Sequence, residues 1–195
     1  MYRNAKINRA MINIVQADFA CIGQVAKHCD LPKLCIAIEE AKMFDLMPLL
    51  CNEMYLDVDT NWTAPAYSIL INGGQYLGCN NKNNFNFGLK KVLIYYAYSR
   101  YVLINGFNDS PNGLVTKTND FSIPTPLKEL QAFSDKYRNM GFDAWQSVQK
   151  YLCKNKTTFT KFNANNCDCE CDCQDCKPQT KKHSGIKINT LSKYD

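Results

Sequence analysis

Histidine is almost missing from this chain: His28 and His183 are the only two, and neither stands in a motif with a nucleophile. There is no Walker A loop, no dinucleotide glycine fingerprint and no His-Glu-x-x-His pair. Gly73-Gly74 stands alone and reads as a helix stop. Long apolar runs are missing as well. The most apolar stretch, Val92 to Ile104, is too short to span a bilayer and contains Arg100. Met1 to Ala10 is polar and basic with no apolar core behind it, so it does not read as a secretory signal. These absences predict a protein that is not an enzyme, has no membrane partner and stays in a reducing cytoplasm until the cell lyses. Eleven cysteines then do not imply a disulfide framework.

What is present is apolar and aromatic. Apolar residues make up 46% of the 195 and charged residues 21%, enough for one domain or one domain plus an appendage. Eleven Tyr, ten Phe and two Trp exceed what a small monomer needs, and Tyr suits a buried body with a polar tip. The formal charge of +5 is uneven: residues 154–195 carry eight Lys and five acids (+3), residues 1–153 fifteen Lys plus Arg and thirteen acids (+2). A body so nearly balanced has no nucleic-acid footprint.

The periodicity predicts a mainly α fold. A short helix is expected over Gln16 to His28, with Phe19, Cys21, Ile22 and Val25 on its apolar side. Asp30-Leu31-Pro32 then opens a second helix. Its apolar stripe is Leu34, Ile38, Ala41, Phe44 and Met47, with Lys33, Glu39, Glu40 and Lys42 outside, until Pro48 kinks it. Gln75 to Phe87 reads as a small hairpin or ordered loop. Gly88 to Ile104 is a helix apolar nearly all round, so it is either the centre of a bundle or an intersubunit contact. Asn108 to Gly113 is a dense turn signal, followed by an extended arm over Leu114 to Thr118. A last long helix runs from Thr125-Pro126 to Cys153 and bends at Gly141. The domains expected are an N-terminal segment over 1–15, a helical domain over 16–153 and an extended Cys-rich tail over 154–195.

The chemistry on offer is sparse. Glu39-Glu40 is a solvated face sooner than an acid–base pair. The Tyr-rich helix is core or interface sooner than a stacking platform for bases. Cys21, Cys29, Cys35, Cys51, Cys79 and Cys153 read as small core residues. The exception is Cys167, Cys169, Cys171, Cys173 and Cys176, five thiols in ten residues with no apolar side chains around them. Three readings stay open: reduced thiols, a zinc or other soft-metal site, and disulfides within the tail or between neighbours. Beyond them, Ile186-Lys187-Ile188 reads as a short strand able to add to a partner's sheet edge, with Ile186, Ile188, Leu191 and Tyr194 as anchors.

The order of the pieces is also familiar. Ile38-Glu39-Glu40-Ala41-Lys42, Asp45-Leu46 and Leu49-Leu50 lead to Tyr67 and Gly73-Gly74. Gly88-Leu89-Lys90 opens the aromatic helix Tyr95-Tyr96-Ala97-Tyr98-Ser99-Arg100-Tyr101, and Ser110 to Lys117 makes the turn before the last helix. Over roughly residues 10–160 this resembles the head–tail connector or ring proteins of crAss-like and related tailed phages; the Cys-rich tail lies outside the pattern.

The resemblance implies a helical bundle of adaptor type and a structural virion role. The expected assembly is a homo-oligomeric ring of twelve in the head–tail neck, put together in the host cytoplasm. Its partners are the portal protein and adjacent tail or ring proteins, with DNA only passing through the channel. Tyr95, Tyr98 and Tyr101 on the helix and Asn112, Gly113, Val115 and Lys117 on the loop are the expected contacts. The rival reading is a zinc-stabilised nucleic-acid-binding or regulatory protein, built on the thiol cluster and the tail lysines.

Overall fold

A computed structural model of the chain describes residues 12–22, 30–78, 82–111, 113–116 and 125–162. The fold is mainly helical. A 3₁₀ turn, Gln16–Ile22, precedes α1, Leu31–Glu40, which passes into a π turn, Ala41–Leu46, and α2, Met47–Leu50. Then come α3, Asn52–Asn61, a 3₁₀ turn, Pro65–Tyr67, and α4, Ser68–Asn72. Strands β1, Gly74–Leu77, and β2, Asn83–Asn86, lead to α5, Leu89–Gly106. Strands β3, Phe107–Ser110, and β4, Gly113–Thr116, precede α6, Leu127–Lys154. Each strand pair is a separate antiparallel two-stranded sheet.

Local chemistry explains the boundaries. The Asp30 carboxylate accepts from the Lys33 amide, and Pro32 occupies the first turn of α1, where its missing N–H costs nothing. Cys51, at φ 61, breaks the chain between α2 and α3. Gly73, at φ 85, ends α4. It also lies so close to Gly88 that a Cβ on Gly88 would stand 2.4 Å from the Gly73 amide nitrogen. The fully buried Asn86 knits this junction: its side-chain amide donates to the Ile69 carbonyl, and its carbonyl accepts from the Gly88 amide. The hairpin is thereby fixed to both helices that flank it.

The core centres on α5. Leu89, Val92, Leu93 and Ala97 are completely buried, and α6 covers them with Ala144, Trp145, Val148 and Leu152. Small residues let the two helices close: the Ser99 and Ser134 hydroxyls meet at 2.9 Å, and Ser134 also donates to the Ser99 carbonyl. Gly141 belongs to the same crossing. A Cβ there would come within 3.2 Å of the Tyr96 ring, so Gly141 is a point of close approach within one continuous helix.

The body runs past Cys153. After α6 the chain turns back through residues 155–162, burying Phe159 against Tyr67 and Tyr151 and Phe162 against Trp145. Lys161 reaches the Asp57 carboxylate at 2.7 Å, the Tyr67 hydroxyl donates to the same carboxylate, and the Cys51 thiol faces the Lys161 carbonyl. Burial works to raise the Asp57 carboxyl pKa, but the hydrogen bonds from Lys161 and Tyr67 and the Lys161 charge outweigh it and hold the group below its ordinary range. Burial together with Asp57 pushes Tyr67 up to about 12.

Several expectations change. Over Gln16–Ile22 the first helix is a 3₁₀ turn, with Phe19 buried and Cys21 exposed; the rest of that expectation, Val25 included, lies outside the described residues. Cys35 is exposed and is not a core residue, Cys51 is half-buried and packs against the core, and Cys153 is buried but disulfide-bonded; Cys29 and Cys79 lie outside the described residues. The stretch expected to form an extended arm pairs back as β4 on β3, because the Ser110 to Gly113 turn brings the strands together. Among the described residues no helix is long and apolar enough to cross a membrane.

Candidate functional site

The tyrosines of α5 do not face outward. Tyr98 and Tyr101 are each 6% exposed. The Tyr98 ring meets Tyr137 of α6 edge-on at 4.6 Å and lies 6.3 Å from Tyr101. Burial, with Tyr137 and Tyr101 adding, pushes Tyr98 up to about 12. Tyr95 is half-buried, with Lys91 over its ring and Tyr137 tilted beside it. Tyr98 and Tyr101 are thus largely enclosed within their own copy, Tyr98 against Tyr137 of α6. Gly113 is exposed at φ 104 and Val115 is exposed beside it on β4. Asn112 and Lys117 lie outside the described residues, as do Cys167, Cys169, Cys171, Cys173, Cys176, Ile186, Ile188, Leu191 and Tyr194. Among the described residues no group of three or more His, Cys, Asp or Glu is placed to hold a metal.

The unexpected surface is on α1, the π turn and α2. In an ordinary helix Phe44 follows Ala41 into the core. The π turn's wider i→i+5 spacing adds a residue to the turn, so the next inward positions after Ala41–Lys42 are Asp45 and Leu46. Met43 and Phe44 are turned outward, and Phe44 is 62% exposed. They extend an outer face that also carries the exposed Leu31, Cys35 and Ile36, with Glu39 and Glu40 between Ile36 and Met43. At 1.5 Å per residue the face is about 20 Å long. Ile36, Met43 and Phe44 are about half exposed, so each forgoes about half of the ~1.5–3 kcal/mol of full burial.

The charges follow the same rotation. Lys42, expected outside, is buried and paired with Glu39 at 2.8 Å, beside a small cleft lined by Tyr55, Val58 and Asp59. Lys33, also expected outside, turns its ammonium to the Ile104 and Phe107 carbonyls at the C-terminal end of α5, where the helix dipole favours a cation. The Asp45 side chain, 1% exposed, takes Arg100 at 2.6 Å and Arg138 at 3.0 Å. Arg100 also reaches Glu40 at 3.2 Å and lies over the Phe44 ring. Hydrogen bonding to Asp45 raises the Arg100 pKa above its ordinary value, so the guanidinium stays charged. This seam fastens the π turn to α5 and α6. Both acids of the outer stripe are thus paired within the chain, Glu39 with Lys42 and Glu40 with Arg100.

A second apolar surface lies on the outer face of the β1–β2 hairpin. Gln75 pairs with Phe85 and Leu77 with Asn83, so these four side chains share one face while Tyr76 packs inward on Tyr151. Leu77, Phe85 and Phe87 are exposed, and the two Phe rings meet edge-on at 5.6 Å. Lys82, also exposed, immediately precedes β2, and the sequence from Gly73 to Gly88 holds no acid. Among these residues the sequence carried a usable signal only for the stripe: Leu31, Cys35, Ile36, Met43 and Phe44 form a second apolar set on a helix that already has one.

A family profile described as a family of unknown function (DUF6712) matches residues 46–171. The match begins at the end of the π turn and includes the hairpin, α5 and α6; the outer stripe up to Phe44 precedes it. No curated protein matches the chain, and no solved structure matches it.

Proposed function

The chain belongs to that family of unknown function, and we propose that it is a non-enzymatic structural subunit that works by self-association. In this reading twelve copies form a ring in the head–tail neck of a tailed-phage virion, between the portal and the next tail component. The observation that carries self-association is the apolar surface left open on two separate elements, the outer stripe of α1–α2 and the outer face of the hairpin. Monomeric proteins seldom leave such surface uncovered, and obligate subunit interfaces are large and apolar. The nearly balanced charge of residues 1–153 supports packing of identical copies, since little repulsion opposes it. The neck position rests on the sequence resemblance.

Native mass measurement of the purified full chain over a range of concentrations tests this reading. A large closed homo-oligomer is expected. A single chain at every concentration, binding DNA in a salt-dependent way that is lost on chelation, would overturn it in favour of the zinc-dependent alternative.

A further inference from the structure

Cys153, at the end of α6, is bonded to another sulfur and is only 7% exposed. Among the described residues Cys21, Cys35 and Cys51 are free. The second sulfur therefore belongs to Cys29, to Cys79 or to the cluster Cys167, Cys169, Cys171, Cys173 and Cys176. A disulfide holds its two Cα atoms within about 7 Å of each other, so the surroundings of Cys153 choose among them.

Cys29 is tied to the wrong end of the bundle. It directly precedes Asp30, the cap of α1, and Lys33 in the next turn reaches the Phe107 carbonyl just past α5. A Cβ on Gly106 would stand 2.9 Å from the Leu130 side chain, so this end meets the start of α6. Cys153 lies about 35 Å further along that helix at 1.5 Å per residue. Cys79 follows the hairpin strand β1, which packs on another side of α6: Tyr76 meets Tyr151, and the Phe87 amide donates to the Ser147 hydroxyl. At 100° per residue Cys153 stands about 160° round the helix from Tyr151 and about 120° from Ser147. It stands only about 80° from Trp145, the residue on which Phe162 packs. Five residues lead from Phe162 to Cys167, about 17 Å when extended, whereas Trp145 and Cys153 are about 12 Å apart along α6. The family match also runs on to residue 171, so the first three cluster thiols belong with the domain.

We propose that Cys153 and the thiol cluster form a redox site, one disulfide tying the chain beyond Phe162 back onto α6. The tie closes over residues 155–162, which Phe159 and the Lys161–Asp57 pair already hold against the body. The oxidant is a small disulfide of the glutathione class. A cluster thiolate attacks it and expels one small thiolate; the Cys153 thiolate then attacks the cluster sulfur of the mixed disulfide and expels the second. The small disulfide takes up both electrons. A reducing cytoplasm keeps the tie open, and an oxidising exterior closes it. This site stands whether or not the chain self-associates.

The test maps the full wild-type chain after exposure to oxidised glutathione. Free thiols are blocked with iodoacetamide in urea, and trypsin is added without reductant. Cuts after Lys150, Lys154 and Lys161 put Cys153 on one peptide and all five cluster cysteines on another. Mass spectrometry should find these two joined, at least tenfold in excess of blocked Cys153, and separated by dithiothreitol. A bond from Cys153 to the peptide of Cys29 or Cys79 overturns the proposal, and so does Cys153 blocked in the oxidised protein. Joined peptides found only in covalent dimers on a non-reducing gel overturn the tie within one chain. Amide exchange over residues 155–162 should be slower in the oxidised than in the reduced protein, and equal rates overturn the closing of that segment.

Discussion

Two helical segments of this protein are apolar on more than one side, and their neighbours treat them differently. Helix α5 is enclosed: α6 lies along it, α1 crosses it, and even Tyr98 and Tyr101 are shut in by the aromatic rings around them. The α1–α2 segment buries Leu34, Ala37, Ile38 and Leu46 on one side and leaves Ile36, Met43 and Phe44 in water on the other. An all-round apolar helix states only that something must surround it. Whether its own chain does so depends on where that helix stands in the bundle. Here the central helix is satisfied from within and the peripheral one is not, so the demand for a neighbour falls on the periphery.

Mutations can break or sharpen this contrast. Leu93→Ala, at a completely buried position of α5, should cost about 2–5 kcal/mol in denaturant unfolding of the variant against wild type. A loss below about 1 kcal/mol would show that α5 is not the enclosed centre. Arg100→Met removes one partner of the buried Asp45 carboxylate and leaves Arg138. Because Arg100 itself is partly exposed, the expected loss is about 2 kcal/mol, below the range for a fully buried pair. Ile36→Ser on the outer stripe should change the stability of the dissociated chain by no more than about 0.5 kcal/mol. A clear loss in the monomer would mean that the stripe is already covered.

The smallest effect is read in alkali. Tyr98 is pushed up to about 12, whereas an unfolded tyrosine ionises near pH ~10, so the fold favours the neutral phenol. Its contribution is fully present below pH ~10 and is lost as pH rises through the folded value. Tyrosinate absorbance of wild type minus that of Tyr98→Phe should therefore rise late, close to pH 12. A rise near pH 10 would mean that solvent reaches the ring.

Much of the architecture was legible because it rests on local signals. The Gly- and Asn-rich stretch with interspersed aromatics from Gln75 to Phe87 read as a small hairpin or ordered loop, Asp30 and Pro32 marked the start of α1, and the last long helix was expected up to Cys153. The outward turn of Phe44 was hidden by one event, the π turn. A reading at 3.6 residues per turn puts Phe44 inside and Lys42 outside, and the i→i+5 turn reverses both. The closing segment 155–162 was hidden for another reason. Phe159 and Phe162 are isolated apolar residues among polar ones, and their burial follows from the long-range bond of Lys161 to Asp57, which no local pattern encodes. Of the proposed contact residues, Gly113 and Val115 lie in the open, while Tyr98 and Tyr101 were drawn inward by α6.

One consequence of the π turn reaches beyond this copy. Its wider turn absorbs one residue more than ordinary winding holds, so deleting a single residue between Ala41 and Leu46 would let the segment wind as an ordinary helix with α2 still in phase with the core. A segment that kept every residue but wound at the ordinary pitch would instead swing everything downstream by about 100°. Phe44 would then rotate toward the interior and Leu46 out of it. The face shown to the outside is thus held by a mismatch of one residue.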